Sequence, residues 1–369
     1  MSFPPRVSVV MPARDAGPFI GEAVDSILSQ SFGDLELIVV DDGSTDDSAA
    51  LVERRAAADP RVRLMRQAAA GVVAALNRGC AGARGEYIAR MDADDVARPE
   101  RLQRQVAFLD RHPGIAVVGS GLQFLGDAGP LPRLLHLPVS PAAVRAALDA
   151  DCCIAHPTVL MRRTVYAATG GYRAAFLHAE DYDLWLRIAE RHDLANLDEP
   201  LLLHRLHRGQ VSLTGLTQQV LSALAARAAA RARRAGAPDP APGWSRIDRP
   251  LIERIGLPPD AIDAALLDQH LARAHLFEEL GCLEEADVIV AALDGMRLGR
   301  RGGDRRADID WLRGKLELRR GRTLSGILAA GRAVLRRPSL LARLLRPPLR
   351  LLRRGAARRA AGPMTSLPS

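Results

Sequence analysis

Three carboxylates fall within four positions of the stretch EYIARMDADDVARPERL (86–102): Asp92, Asp94 and Asp95. Aspartate is a poor strand former and like charges repel. Acids at the end of an apolar run (87–91) therefore call for a positive partner. Carboxylates at i and i+2 just past a strand can share a hard divalent cation, Mg²⁺ or Mn²⁺, with the phosphates of a nucleotide. Such an ion would neutralise charge building on a departing diphosphate. The plainer reading is a turn with an Asx cap and solvated acids. A calcium loop is excluded, because the required Gly and the later bidentate Glu are missing.

Three further groups could do chemistry. In VVDDGSTDD (39–47), Asp41 and Asp42 either cap and charge the next helix or accept hydrogen bonds from a base such as uracil. In EDYDLWLR (180–187), the apolar helical face is Tyr182, Leu184 and Trp185, continuing to Ile188, and Glu180 and Asp181 stand before it. Acids there are favoured by the helix dipole whatever their function. One of them could equally be a general base within hydrogen-bond reach of an attacking hydroxyl. His207, beside His204 in HRLHRGQVS, could add a neutral imidazole to a metal site or simply cap a surface turn. GxGxxG after the first strand, GxxxxGK[ST], GxSxG and HExxH are all absent, which removes simple dehydrogenase, P-loop, hydrolase-elbow and zincin readings.

Strands and helices must position these groups. The runs VSVVMP (7–12), LELIVV (35–40), RVRLMR (61–66), YIARM (87–91) and IAVVGSG (115–121) read as five strands. Helical signals lie between them at about 21–30, 44–58, 72–84 and 99–112, with Ser44 as N-cap of the second and Pro99 at the first position of the fourth. Strands alternating with helices of this length predict an α/β fold with a Rossmann-like, mainly parallel sheet flanked by helices. Ligands of such sheets bind outside the carboxyl ends of the strands. Asp15, Asp41 and Asp42, and Asp92, Asp94 and Asp95 end three different strands there, so the polar clusters converge on one edge.

A chain of 369 residues is long enough for two domains or three small ones. Its 48% hydrophobic and 25% charged content is that of an ordinary globular protein. No stretch has the roughly 18 uncharged apolar residues of a membrane span, and the start does not read as a secretory signal. Cys80, Cys152, Cys153 and Cys282 form no CxxC pair, which suggests a reducing, cytoplasmic compartment and no zinc site. The net charge of +8 is divided sharply: residues 311–369 hold 14 Arg and one Lys against Glu317 alone, which leaves the first 310 residues at −6.

The segment 8–48, SVVMPARDAGPFIGEAVDSILSQSFGDLELIVVDDGSTDDS, resembles the opening of the inverting family 2 glycosyltransferases of GT-A fold, of the bacterial cell-surface polysaccharide type. The pieces at 71–106, HPTVLMRR (156–163), EDYDLWLR and HRLHRGQVS follow in that family's order, so the resemblance covers about 5–214. It implies a hexosyltransferase-like enzyme that moves a sugar from a nucleotide-sugar donor, most simply a UDP-sugar, to a hydroxyl of a glycan or lipid-linked acceptor. By the same resemblance, Asp41 or Asp42 binds the base, and Pro12, Ala13 and Arg14 shape that pocket. Asp92 and Asp94 form a DxD motif, with Asp94 the surer ligand of Mn²⁺ or Mg²⁺ and Asp92 near the ribose or diphosphate. Asp181 is the catalytic base, Glu180 orients the acceptor, and His207 contacts the metal or diphosphate. Many members have Arg where this chain has Leu76, so charge support must come from elsewhere, such as Arg78 or Arg14.

The expected domains are a catalytic domain at 1–214, a helical region at 215–310 with a Pro-rich linker near 237–250, and an Arg-rich tail at 311–369. Within 324–355, Leu340, Leu341, Leu344 and Leu345 form an apolar stripe opposite Arg343, Arg346 and Arg350. Such a helix suits an anionic membrane surface and an enzyme peripheral to the inner face of the cell membrane; a solvated tail or a helix packed on the catalytic domain are the alternatives. A nucleotidyltransferase would show a Gly-rich basic loop after the first strand, which MPARDAGPF lacks. A nucleic-acid-binding role is not expected, since beyond Trp311 the tail has no aromatic residues to stack on bases.

Overall fold

The computed structural model describes residues 4–207, 215–296 and 302–341. It forms two compact units, one running to Ile262 and one starting at Asp263. In the first, β1 (Val7–Ala13) and β2 (Leu35–Asp42) are covered on both faces, which is why they read as continuous apolar runs rather than alternating ones. Beside them lie β3 (Val62–Gln67) and β4 (Tyr87–Arg90), and these four strands run parallel in the order β3-β2-β1-β4. The connections are α1 (Gly17–Leu28), α2 (Ser48–Ala58) and α3 (Val72–Ala81). Gly79 lets α3 lie directly on the sheet, since a Cβ there would stand 2.5 Å from Val10 Cγ1.

The second half of the sheet holds β5 (Val96–Ala97), β6 (Ile115–Gly126), β7 (Gly129–Leu135), β8 (Leu160–Arg162) and β9 (Asp193–Arg205). It continues from β4 in the order β8-β6-β9-β5, with β7 folded back on β6. β8 is antiparallel to β4 and β6, β5 is antiparallel to β9, and β9 is parallel to β6. The helices are α4 (Arg101–Arg111), α5 (Pro141–Leu148), α6 (Arg163–Thr169) and α7 (Glu180–Ile188). The mainly parallel α/β sheet followed by a helical C-terminal region matches the expected class.

Several local expectations differ. Ser44 does not cap α2, which starts at Ser48 after Asp47; the Ser44 hydroxyl is taken by the Asp15 N–H instead. Pro99 precedes α4 rather than opening it, because the helix begins at Arg101 after Glu100. The strand expected at 115–121 extends to Gly126. The two-residue β5 had no local signal, being held by β9 from about a hundred residues on.

The Pro-rich stretch expected as a linker is packed: Ile247, Leu251 and Ile252 are buried, and the Trp244 ring lies 5.8 Å from that of Phe176. Asp248 caps a short helix there, Arg249–Arg254, by accepting the Leu251 N–H at 3.0 Å. The first unit thus includes the helix Leu216–Arg234 and this stretch, so the boundary expected after 214 falls inside it. The helical region continues with Pro259–Leu280 and Leu283–Asp294. The second unit goes on with Gly302–Arg319 and Thr323–Arg336.

One acid is built into the sheet. Glu36 sits in β2, and its buried carboxylate accepts from Ser8 Oγ (2.7 Å), Arg63 (2.8 Å), and the Arg84 side chain (2.8 Å) and N–H (3.0 Å). Burial opposes its charge, but these donors overcome it and hold the carboxyl down at about 2. Glu36→Gln is expected to cost about 2 kcal/mol, the worth of hydrogen bonds to a charged group. The wild-type contribution is complete above the unfolded value of about 4.3 and is lost as pH falls through about 2. Denaturant unfolding of both proteins across that range checks it; an equal difference at all pH values would contradict the assignment.

Candidate active site

The loops after β1 and β2 cap each other. The first N–H groups of a helix have no intrahelical partner. At α1 they go to the second loop: Ala16 N–H to Ser48 Oγ (2.8 Å) and Gly17 N–H to Asp46 Oδ2 (2.8 Å). Asp15 N–H reaches Ser44 Oγ at 3.0 Å, and Asp15 Oδ1 accepts the Thr45 N–H at 2.7 Å. Much of DDGSTDD therefore stitches two strand ends together. Gly43 makes the turn possible: its φ is +74°, and a Cβ would stand 2.9 Å from the Ala69 nitrogen.

Asp42 organises the next loop. Its carboxylate accepts from Gln67 Nε2 (2.7 Å), Ala70 N–H (2.8 Å) and Gly71 N–H (2.8 Å), which fixes the entry to α3. Burial works against its charge, yet these donors pull its pKa below the usual value. Asp41 is buried and accepts the Ser44 N–H at 3.2 Å.

A cleft of about 620 Å³ opens at this sheet edge. Pro12, Ala13, Arg14, Asp42, Asp92, Asp94 and His207 all line it, so seven residues singled out from sequence meet there. Asp41, lying behind Asp42, does not line it, and neither does Arg78, which is exposed farther along α3. Asp15 (φ 48°) and His178 (φ 66°) also line the cleft. Among the described residues they are the two non-glycine positions with left-handed backbone, and strain of this kind gathers at binding sites.

The three acids after β4 have separate surroundings. Asp95 is fully buried and spent: it accepts the Arg205 N–H at 2.9 Å and pairs with His204 Nδ1 at 3.1 Å. Burial alone would lower the His204 pKa, but the charge of Asp95 and its hydrogen bond outweigh it and lift the imidazole to about 9. Asp92 and Asp94 are half-buried and face the cleft. Asp94 Oδ2 lies 2.8 Å from His207 Nε2, and the His207 ring packs 4.8 Å from that of Phe19. Asp92 is ion-paired with Arg90.

Arg90 is the residue that sequence reasoning missed. It occupies a strand position with apolar neighbours, is buried to 6% exposure, and its Nε has no hydrogen-bond partner. The signal was present, because a charge inside a doubly covered strand needs a reason. Its positive charge also reaches Glu180 and Asp181, lowering the pKa of both carboxyls.

Those two acids open α7, just after Leu177 and His178 of the cleft wall. Tyr182, Leu184, Trp185 and Ile188 are buried, as the helical face required. Asp181 Oδ1 accepts the Tyr182 N–H at 2.7 Å, and Oδ2 lies 3.9 Å from Cys152 Sγ. Glu180 is buried with Oε2 unpartnered. Burial pushes both pKa values up, helped at Glu180 by the charge of Asp181 and at Asp181 by that of Asp92, against the pull of Arg90. Asp183, one turn along, is structural: it is fully buried between Arg173 and Arg187.

The donor set suits a hard divalent ion. Asp92, Asp94 and Asp95 each offer an oxygen within 4.8 Å of the others, and carboxylates with an imidazole are a chemistry that Mg²⁺ and Mn²⁺ accept. With Asp95 engaged by His204, the groups facing the cleft are Asp92, Asp94 and His207.

Comparison with known proteins agrees with this geometry. Residues 8–169 match the family model for glycosyl transferase family 2. The O-antigen biosynthesis glycosyltransferase WbnJ of Escherichia coli is 31% identical over 216 residues, covering 57% of this chain and 83% of WbnJ. An uncharacterized glycosyltransferase of Haemophilus influenzae is 32% identical over 223 residues, covering 56% of this chain and 68% of its own. Among solved structures, S. aureus TarS 1–349 in complex with UDP-GlcNAc superposes with a TM-score of 0.52 at 17% identity, over 88% of this chain and 90% of that one. Two-thirds or more of each of these curated relatives is matched, the family model takes in the cleft residues from Pro12 to Asp94, and the fold is shared; the chain belongs to glycosyltransferase family 2 and is a glycosyltransferase.

Proposed function

We propose that the protein transfers a sugar, with inversion, from a UDP-sugar to a hydroxyl of a glycan or lipid-linked acceptor in cell-surface polysaccharide synthesis. One observation carries this reading: donor-type groups from three strand ends share a cleft whose wall leads directly to two carboxyls of raised pKa. The O-antigen role in the name of WbnJ supports the acceptor class. Residues 1–214 carry the chemistry in this proposal.

Pro12, Ala13 and Arg14 shape the base pocket with Asp42, which presents a fixed carboxylate edge, and Asp41 backs it. Asp92, Asp94 and His207 hold Mn²⁺ or Mg²⁺, which when bound neutralises the diphosphate of the donor. Asp181 takes the proton of the acceptor hydroxyl as that oxygen attacks the anomeric carbon from the face opposite the leaving group, and a single displacement inverts the centre. Glu180 orients the acceptor. Arg90 serves in place of Arg78, pairing with Asp92 and drawing the Asp181 carboxyl toward its charged form against the burial that raises it.

Among the described residues no helix is long and apolar enough to cross a membrane. We infer that the Arg-rich tail, 311–369, holds the enzyme peripherally against the anionic inner face of the cell membrane.

Asp181→Asn is expected to lower turnover at least about a hundredfold, the usual share of a general base, and to leave donor affinity intact; parallel loss of both would remove Asp181 from that role. Asp94→Ala should abolish the Mn²⁺-dependent rise in melting temperature with UDP-sugars. A variant that keeps the full shift would show that Asp94 is no ligand.

The pH profile gives a third test. A base must be deprotonated, and burial raises the Asp181 carboxyl. Activity should therefore fall on acidification at a pH clearly above the ordinary carboxylate value of about 4. In Arg90→Met the limb should move higher still. An unshifted limb would mean that Arg90 does not act on the base.

A further inference from the structure

The helix Thr323–Arg336 is packed inside out. Its inward face is Gly326, Ala329, Ala330 and Ala333, while Leu324, Ile327, Leu328 and Leu335 stand outside at 74%, 58%, 55% and 85% exposure. The spacing of three, four and seven residues puts these four aliphatic side chains on one stripe. The cause of the inversion is the partner helix, Gly302–Arg319. A Cβ on Gly326 would stand 2.6 Å from Leu318 Cγ, and one on Gly314 2.9 Å from the Ala330 nitrogen. The two helices lie too close for anything larger than alanine between them.

Leu340, expected on an outward stripe, is buried beside Ala307, Trp311 and Ala333, and Leu341 is exposed. Leu344, Leu345, Arg343, Arg346 and Arg350 lie outside the described residues.

A soluble two-helix packing needs polar residues at these outer positions, so four large aliphatics there mark a docking face. We propose that this face enters the interfacial region of an anionic lipid bilayer, which names the surface that the peripheral-membrane reading above requires and rests on that reading. The charge pattern selects the occupant. From Thr323 to the last residue the chain holds ten Arg and no acid; of the three among the described residues, Arg336 and Arg337 are paired with Asp310 and Asp308, and Arg332 is exposed. A second copy would bring the same excess of Arg over acids, and the chain's own last 28 residues, with seven Arg and no acid, would only add to it. Nucleic acid would satisfy the arginines but not the aliphatic stripe, and beyond Trp311, which is buried, there is no aromatic residue to stack on bases. A bilayer with anionic headgroups takes both, apolar side chains below the headgroups and guanidinium groups among them.

The test is vesicle flotation of the full chain, with phosphatidylglycerol mixed into phosphatidylcholine, against phosphatidylcholine alone. Wild type should float with the mixed vesicles at low salt and be released by high salt. Replacing Leu324, Ile327, Leu328 and Leu335 together by Ser should weaken flotation about tenfold or more, with an unchanged melting temperature, since none of the four is buried. Equal flotation of wild type and variant, or no flotation of wild type, overturns the proposal. So does self-association that the variant abolishes, which would make the face a contact between two copies. The UDP-sugar thermal shift, read on the same samples, separates failure of this proposal from failure of the catalytic one.

Discussion

Charges held away from water must be matched, and the cleft is organised by that requirement. Asp92, Asp94, Asp95, Glu180 and Asp181 gather where β4 ends and α7 begins, and unmatched they would repel each other strongly in a low dielectric. Arg90 meets Asp92 and its charge reaches Glu180 and Asp181; His204 meets Asp95; His207 meets Asp94. Arg90 needs support in turn. The fully buried Arg101 donates to the Arg90 carbonyl at 2.6 Å, and burial together with the charge of Arg90 lowers its own pKa to about 9. β8 contributes by position, since the carbonyl of Val159, just before it, accepts the Arg90 N–H at 2.9 Å.

The same logic explains which polar residues are scaffold. Asp46, Ser44 and Ser48 serve helix ends, Asp183 and Glu36 anchor arginines, and Asn77 joins α3 to the Gly-Gly turn by accepting the Tyr172 N–H at 3.0 Å. Each is polar, each lies in a motif, and each is satisfied by protein alone. Two buried charged residues behind the cleft differ in having capacity left over: Glu180 keeps an unpartnered oxygen, and Arg90 an unpartnered nitrogen.

Much of this was legible from residue pattern because the part of the cleft built from the first strand ends is local. β1, β2 and β4 announce themselves as buried apolar runs, and their acids fall at the ends where a parallel sheet puts ligands. Arg90 was not legible by period, since a side chain inside a covered strand looks like an error until Asp92 is seen beside it. The assignment of Asp95 to His204 depends on β9 returning to β5, a pairing that no local propensity encodes. Arg78 was chosen by nearness in sequence to Leu76; helix geometry turns it outward. The packed stretch after Ala235 looked like a linker because proline content says nothing about the tertiary surface that Ile247 and Ile252 find.

The return of β9 also sets an order of assembly. The strand ends that hold Asp15 and Asp42 are tied by partners about thirty residues apart, whereas Asp95 meets His204 across 109 positions and Asp94 meets His207 across 113. Closing a longer loop costs more chain entropy, and distant pairings form later. During synthesis the ends of β1 and β2 can therefore gather while the segment bearing both histidines is still inside the ribosome. The acids after β4 meet their histidines only when the last strand docks, so a stalled or truncated chain holds Asp94 and Asp95 without these partners.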